Sequence, residues 1–140
     1  MDRFKFLPLL GRILIGAPFV MSGLGKLAAY SATVGYIAAM GLPVPPLAFL
    51  VSVLIELGGG LLLLSGYRVR LVSVVMAVFC VVTALVFHHN FADQNQMINF
   101  LKNVMMAGGL LQITWFGAGA FSLDARSGRI VLRASSLKAG

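Results

Sequence analysis

Between Leu71 and Phe87 the chain runs seventeen residues without one charged side chain. At ~1.5 Å of rise per residue, a helix of that length extends about 25 Å, close to the ~30 Å hydrocarbon core of a bilayer. Three further apolar runs, Leu7 to Leu24, Leu47 to Ser65 and Met97 to Phe116, are at least as long and carry a single charge each. Backbone inside hydrocarbon has to satisfy its own hydrogen bonds, so segments this long predict helices. The expected fold is all-α, a four-helix transmembrane bundle. Composition agrees: 59% of residues are hydrophobic and 11% charged, against about 45–50% and about 25% in soluble domains. A water-soluble single domain is excluded. The net charge of +7 does not point to nucleic acid, because no basic stretch is interleaved with aromatics. With Cys80 as the sole cysteine, an internal disulfide or a Cys-x-x-Cys dithiol is excluded, and Cys80 reads as a small buried apolar residue.

Basic residues predict the orientation, since Lys and Arg concentrate on the cytoplasmic side. Arg3 and Lys5 precede the first run, Arg68 and Arg70 separate the second from the third, and Arg126, Arg129, Arg133 and Lys138 follow the fourth. Only Lys26 falls on the opposite side, and it also argues against reading the first run as a signal peptide. Both termini are therefore expected in the cytoplasm. Residues 1–124 form one transmembrane domain in this reading, and 125–140 a basic cytoplasmic tail held near anionic lipid heads. The first outer connection predicts a short interfacial helix: Ser31 as N-cap, Val34, Ile37 and Met40 as its apolar face, Gly41 and Pro43 as its stop.

The three charges inside the runs are Arg12, Glu56 and Lys102. Each costs roughly 2.5–3.5 kcal/mol near the bilayer centre. Glu56 falls ~14 Å from the outer end of its run, Lys102 ~8 Å and Arg12 ~18 Å. A pair of Glu56 with Lys102 or with Arg12, or a triad, is the expected arrangement. His88 and His89 end the third run near the level of Lys26. An outer-half pocket lined by Lys26, Glu56, His88, Asn99, Lys102 and Asn103 follows, with Arg12 as a further buried polar residue. Gly16, Gly23, Gly59, Gly60, Gly108 and Gly109 are expected to let helices approach closely. The bland alternative is that the ion pair only fixes helix register and the histidines sit in the interface.

Haem is disfavoured, because both histidines are adjacent on one helix. Zinc is disfavoured too, since His88 and His89 point ~100° apart on a helix with no cysteine near, and no metal site is expected. No nucleotide-binding loop or Ser–His–Asp set is visible, so no self-contained catalytic constellation is expected.

The chain resembles the DoxX family of small bacterial inner-membrane proteins, from about Gly11 to Asp124. The resemblance rests on Arg12, Gly16, Phe19, Ser22-Gly23 and Lys26; Gly41-Leu42-Pro43; Glu56 with Gly59-Gly60; His88; Phe100-Leu101-Lys102-Asn103; Gly108-Gly109; and Phe121-Ser122-Leu123-Asp124. It implies a four-helix bundle in the inner membrane and an association with quinone- or thiol-linked redox systems. Three functions then compete. The first is an accessory or anchoring subunit of a membrane oxidoreductase, binding a quinone head or thiol metabolite through Lys102, His88 and Lys26. The second is a small-solute or proton carrier titrating at Glu56, and the third a non-catalytic scaffold. The bilayer, a redox protein and further copies of the chain are the expected partners.

Overall fold

The computed structural model describes residues 4–128. Arg3, Arg129, Arg133 and Lys138, used above to orient the chain, lie outside them, as does most of the predicted tail. Among the described residues the secondary structure is entirely helical. The main elements are α1 (Leu7–Ala28), α2 (Tyr30–Ala39), α3 (Pro45–Ser65), α4 (Val69–Phe87) and α5 (Gln94–Phe116), and residues 123–128 add a short helical segment.

By length and composition α1, α3 and α4 are able to cross a membrane. The fourth run lies within α5, which at 23 residues is long enough. Its first turns, however, carry Gln94, Asn95, Gln96, Asn99, Lys102 and Asn103, and these polar side chains lower its hydropathy. Among the described residues three helices, not four, are long and apolar enough to cross a membrane.

α1 packs antiparallel on α3 through glycines. A Cβ at Gly16 would lie 3.2 Å from the Gly60 carbonyl oxygen, and one at Gly60 would lie 3.0 Å from the Gly16 carbonyl oxygen and 2.8 Å from Val20 Cγ2. Only hydrogen fits at this crossing. Gly23 abuts Leu57, Gly59 abuts Met76 of α4, and Gly109 abuts Ile15. The expected contact at Gly108 does not form, because that position faces open space. Leu63, Val69, Met76, Cys80 and Leu110 fill the centre, each fully buried.

α3 is not regular. Leu54–Gly59 form a π turn with Glu56 inside it, and π turns within helices concentrate at functional sites. Gly66, at φ 72°, closes α3: its N–H and that of Tyr67 both return to the Leu62 carbonyl.

α2 folds over the Lys26 end of the bundle. Ile37 is buried against a cluster containing Phe49 and Val53. Tyr36 stacks on Phe87 at 5.7 Å, and Tyr30 meets Phe49 edge-on at 4.8 Å. Ser31 is not its N-cap. Ala29 alone separates α1 from α2, its N–H closing α1 on Gly25 and Lys26 and its carbonyl accepting from Thr33 N. The helix therefore starts two residues earlier than expected, with Ala29 in the capping position, and Ser31 falls inside it.

Candidate functional site

The contact of Gly23 with Leu57 brings α1 and α3 together beside the π turn. Lys26 lies three residues beyond Gly23, and Glu56 directly precedes Leu57. Lys26 Nζ donates to both Glu56 oxygens, at 2.7 and 2.6 Å. Ser22, one turn before Lys26, completes a triangle: its hydroxyl accepts from Lys26 Nζ and donates to Glu56 Oε2, both at 3.2 Å. The carboxylate thus accepts three hydrogen bonds within an otherwise apolar wall.

Neither expected partner of Glu56 pairs with it. Every Cα–Cβ bond in a helix tilts toward the helix N-terminus, and this tilt separates the three basic residues. Lys26 is near the C-terminal end of α1, so its side chain leans back along the helix to the level of Glu56. Arg12, on the same helix, leans in the same direction and so away from Glu56, and Lys102, on a helix of opposite direction, leans toward the end where α5 begins. Lys102 is exposed and lines none of the cavities described below.

Arg12 is fully buried at the opposite end of α1. Its Nη1 donates to the Leu63 and Leu64 carbonyls at 2.9 and 3.0 Å, and its Nη2 donates to the Phe121 carbonyl. The Leu63 and Leu64 oxygens belong to the last turn of α3, where carbonyls lack helical partners and a cation is favoured. Arg12 therefore ties α1, the end of α3 and the loop after α5 together. Asp124 works beside it, accepting from Arg68 N at 2.7 Å and Val69 N at 3.0 Å, so a residue 55 positions away caps α4. Sequence reading missed this cap, because the acceptor lies far outside the usual N-cap position.

Two cavities meet at the Lys26–Glu56 pair. One, of about 300 Å³, lies beneath α2 and is lined by Tyr36, Ile37, Ser52 and Val86 among others. The second, of about 290 Å³, lies between α1, α4 and α5 and is lined by Pro18, Ser22, Asn103 and Met106. Lys26, Glu56, Phe79, Thr83 and His88 line both. Each volume is near the lower limit of small-molecule sites, ~300 Å³.

Of the residues expected in an outer-half pocket, Lys26, Glu56, His88 and Asn103 come together here. Asn99 is half-buried and borders neither cavity; its carbonyl accepts from Asn103 Nδ2 at 3.0 Å. His88 Nδ1–H donates to Gln96 Oε1 at 3.1 Å, joining the end of α4 to the start of α5. Phe79 and Thr83 were not among the expected pocket residues, and Ser22 entered only through the family resemblance. Ser22 was legible as the residue one turn before Lys26. Among the described residues no three His, Cys, Asp or Glu side chains gather as a metal site.

The DoxX family model matches residues 7–89, from the start of α1 to just past α4. The chain belongs to the DoxX family. It is 39% identical over 116 residues to the inner membrane protein YqjF of Escherichia coli (strain K12), covering 83% of this chain and 88% of that relative. To the inner membrane protein YphA of the same organism it is 35% identical over 123 residues, covering 84% of this chain and 88% of the relative. No solved structure matches. With its three long apolar helices, this DoxX-family chain is an integral membrane protein whose exposed apolar side chains face lipid.

Proposed function

We propose that this DoxX-family protein is an accessory subunit of a quinone- or thiol-linked redox system in the inner membrane, holding a small ligand at the Lys26–Glu56 pair. In this reading α5 is a fourth span and both termini face the cytoplasm, as Arg68, Arg70 and Arg126 favour. Residues 1–124 then form the membrane domain. The observation that carries the ligand reading is the position of the ion pair, which lines both cavities together with His88. A pair serving packing alone needs no such space around it. Apolar walls with a few convergent polar groups suit a ligand with a flat apolar body and one hydrogen-bonding head. A quinone head fits that description, with Lys26 as donor and His88 able to donate or accept.

The scaffold reading draws on a different observation. Gly23–Leu57 and Gly16–Gly60 clamp α1 to α3 near Glu56, so the pair also fixes register there. Gentle solubilisation with cross-linking, followed by absorption spectroscopy and quinone extraction, separates the two. Under the ligand reading a redox partner or bound quinone is recovered, and Glu56→Gln or Lys26→Met reduces it. Recovery of the chain alone, with unaltered redox physiology in both variants, leaves only the scaffold.

A further inference from the structure

The end of the bundle opposite the ion pair carries a groove of about 550 Å³, lined by Arg68, Arg70, Leu71, Phe116, Gly117 and Asp124 among others. We propose that this groove is a binding site for one anionic phospholipid, its phosphodiester held by Arg68 and Arg70 and its acyl chains lying along Leu71 and Phe116.

The polar end of the groove is electrostatically open. Among the described residues neither guanidinium has a carboxylate partner. The carboxylate in the lining, Asp124, is occupied by the backbone N–H groups of Arg68 and Val69. Ser122 is occupied as well, donating to the Gly119 carbonyl and accepting from Ala125 N. The Arg68 guanidinium carbon lies 5.8 Å from the Tyr67 ring centroid, a contact that uses its face and leaves its N–H edge for an acceptor. Arg70 passes alongside Gly117, where a Cβ would lie 3.5 Å from its Nε. Arg68 holds φ 47°, a left-handed conformation that is strained for a non-glycine residue. A glycine there would remove the strain and also the guanidinium.

The rest of the lining identifies a lipid as the source of the phosphate. Leu71 is 61% exposed and Phe116 is 74% exposed, and in a membrane protein such surfaces meet acyl chains. Trp115 and Tyr67 are also exposed at this level, as aromatic side chains are at the headgroup boundary. A free phosphate ion gains nothing from that apolar path.

Trp115, next to Phe116, is the single tryptophan of the chain and so reports on bound lipid. Purified protein in mild detergent is titrated with brominated phosphatidylglycerol or brominated phosphatidylcholine, and quenching of Trp115 is followed. The wild type is expected to half-saturate with phosphatidylglycerol at about 30-fold lower lipid fraction, from ~1 kcal/mol for each of the two basic residues near an anionic headgroup. Arg68→Gln and Arg70→Gln each cut that gap to about fivefold. Both side chains are exposed and make no side-chain hydrogen bond among the described residues, so the fold is retained. Arg126→Gln, which removes the same charge outside the groove, leaves the preference intact. Equal quenching by the two lipids in the wild type, or an equal loss in Arg126→Gln, overturns the site. Abolition of the preference by millimolar inorganic phosphate, relative to chloride at matched ionic strength, overturns the lipid assignment in favour of free phosphate.

Discussion

Lys26 and Glu56 form a 2.6 Å ion pair in which the lysine side chain keeps 27% of its surface exposed and the glutamate keeps 8%. The two partners therefore respond differently to loss of the other. A lysine left alone near a helix end swings its ammonium to the headgroup region at little cost. A glutamate left alone inside the π turn has nowhere to go and keeps its desolvation penalty.

Lys26→Met is accordingly expected to destabilise the protein by about 3 kcal/mol, the low end for breaking a buried pair. Glu56→Gln should cost within about 1 kcal/mol, since its amide oxygen still accepts from Lys26. The double variant should be more stable than Lys26→Met alone. Denaturant unfolding in mild detergent, followed by circular dichroism, measures all three; equal losses in the two single variants contradict the asymmetry.

Lys102 supplies the matching control. Exposed and outside both cavities, it is expected to tolerate Lys102→Met with a stability change within about 0.5 kcal/mol. The same unfolding measurement applies, and a loss as large as that of Lys26→Met would place Lys102 in the Glu56 network after all.

The contrast shows what was legible in the sequence. Glu56 was visible as an expensive charge in an apolar run, and the fold class followed from run length alone. Its partner was not visible from depth, because the pairing turned on where α1 ends. The apolar run ends at Leu24, which left Lys26 at the outer mouth and outside the expected pairs; the helix continues to Ala28, which sets the lysine on the same face as Ser22 and aims it back toward Glu56. Helical direction, obtainable from the order of the runs, separates Lys26 from Lys102. The π turn and the cap from Asp124 depend on tertiary contacts that no local pattern encodes.

Arg12→Lys tests the tie at the other end. Lysine keeps the charge but not the planar fork that reaches three carbonyls from two nitrogens. The expected loss is about 2–4 kcal/mol, the range for a buried charged network left partly unsatisfied. The loop around Phe121 should loosen first, so trypsin should cut after Arg126 faster than in the wild type. Unchanged proteolysis with an unchanged unfolding midpoint would falsify the tie.

Asp124→Ala removes both acceptors at the start of α4, where Arg68 N and Val69 N become unpaired. Loss of a good N-cap costs about 0.5–2 kcal/mol. Asp124→Asn keeps one acceptor oxygen and should fall between wild type and Asp124→Ala. Thermal unfolding of the three proteins gives this order directly, and an Asn variant as poor as the Ala variant points to the charge instead of the hydrogen bonds.

Two glycine substitutions, chemically identical, should move stability in opposite directions. At Gly60 an added Cβ lies 2.8 Å from Val20 Cγ2 and 3.0 Å from the Gly16 carbonyl oxygen, and the second of these is backbone that cannot rotate away. Gly60→Ala must therefore push α1 from α3, and because Lys26 and Glu56 lie on those helices the strain extends to the ion pair. A cost of about 1–3 kcal/mol is expected, as for overpacking elsewhere. At Gly108 a Cβ meets nothing within 4 Å, and Gly108→Ala gains helix propensity of up to ~1 kcal/mol. Unfolding midpoints of the two variants should straddle the wild type. A loss at Gly108 as large as that at Gly60 would mean that α5 packs through Gly108 against a neighbouring helix outside this chain, making that face an interface.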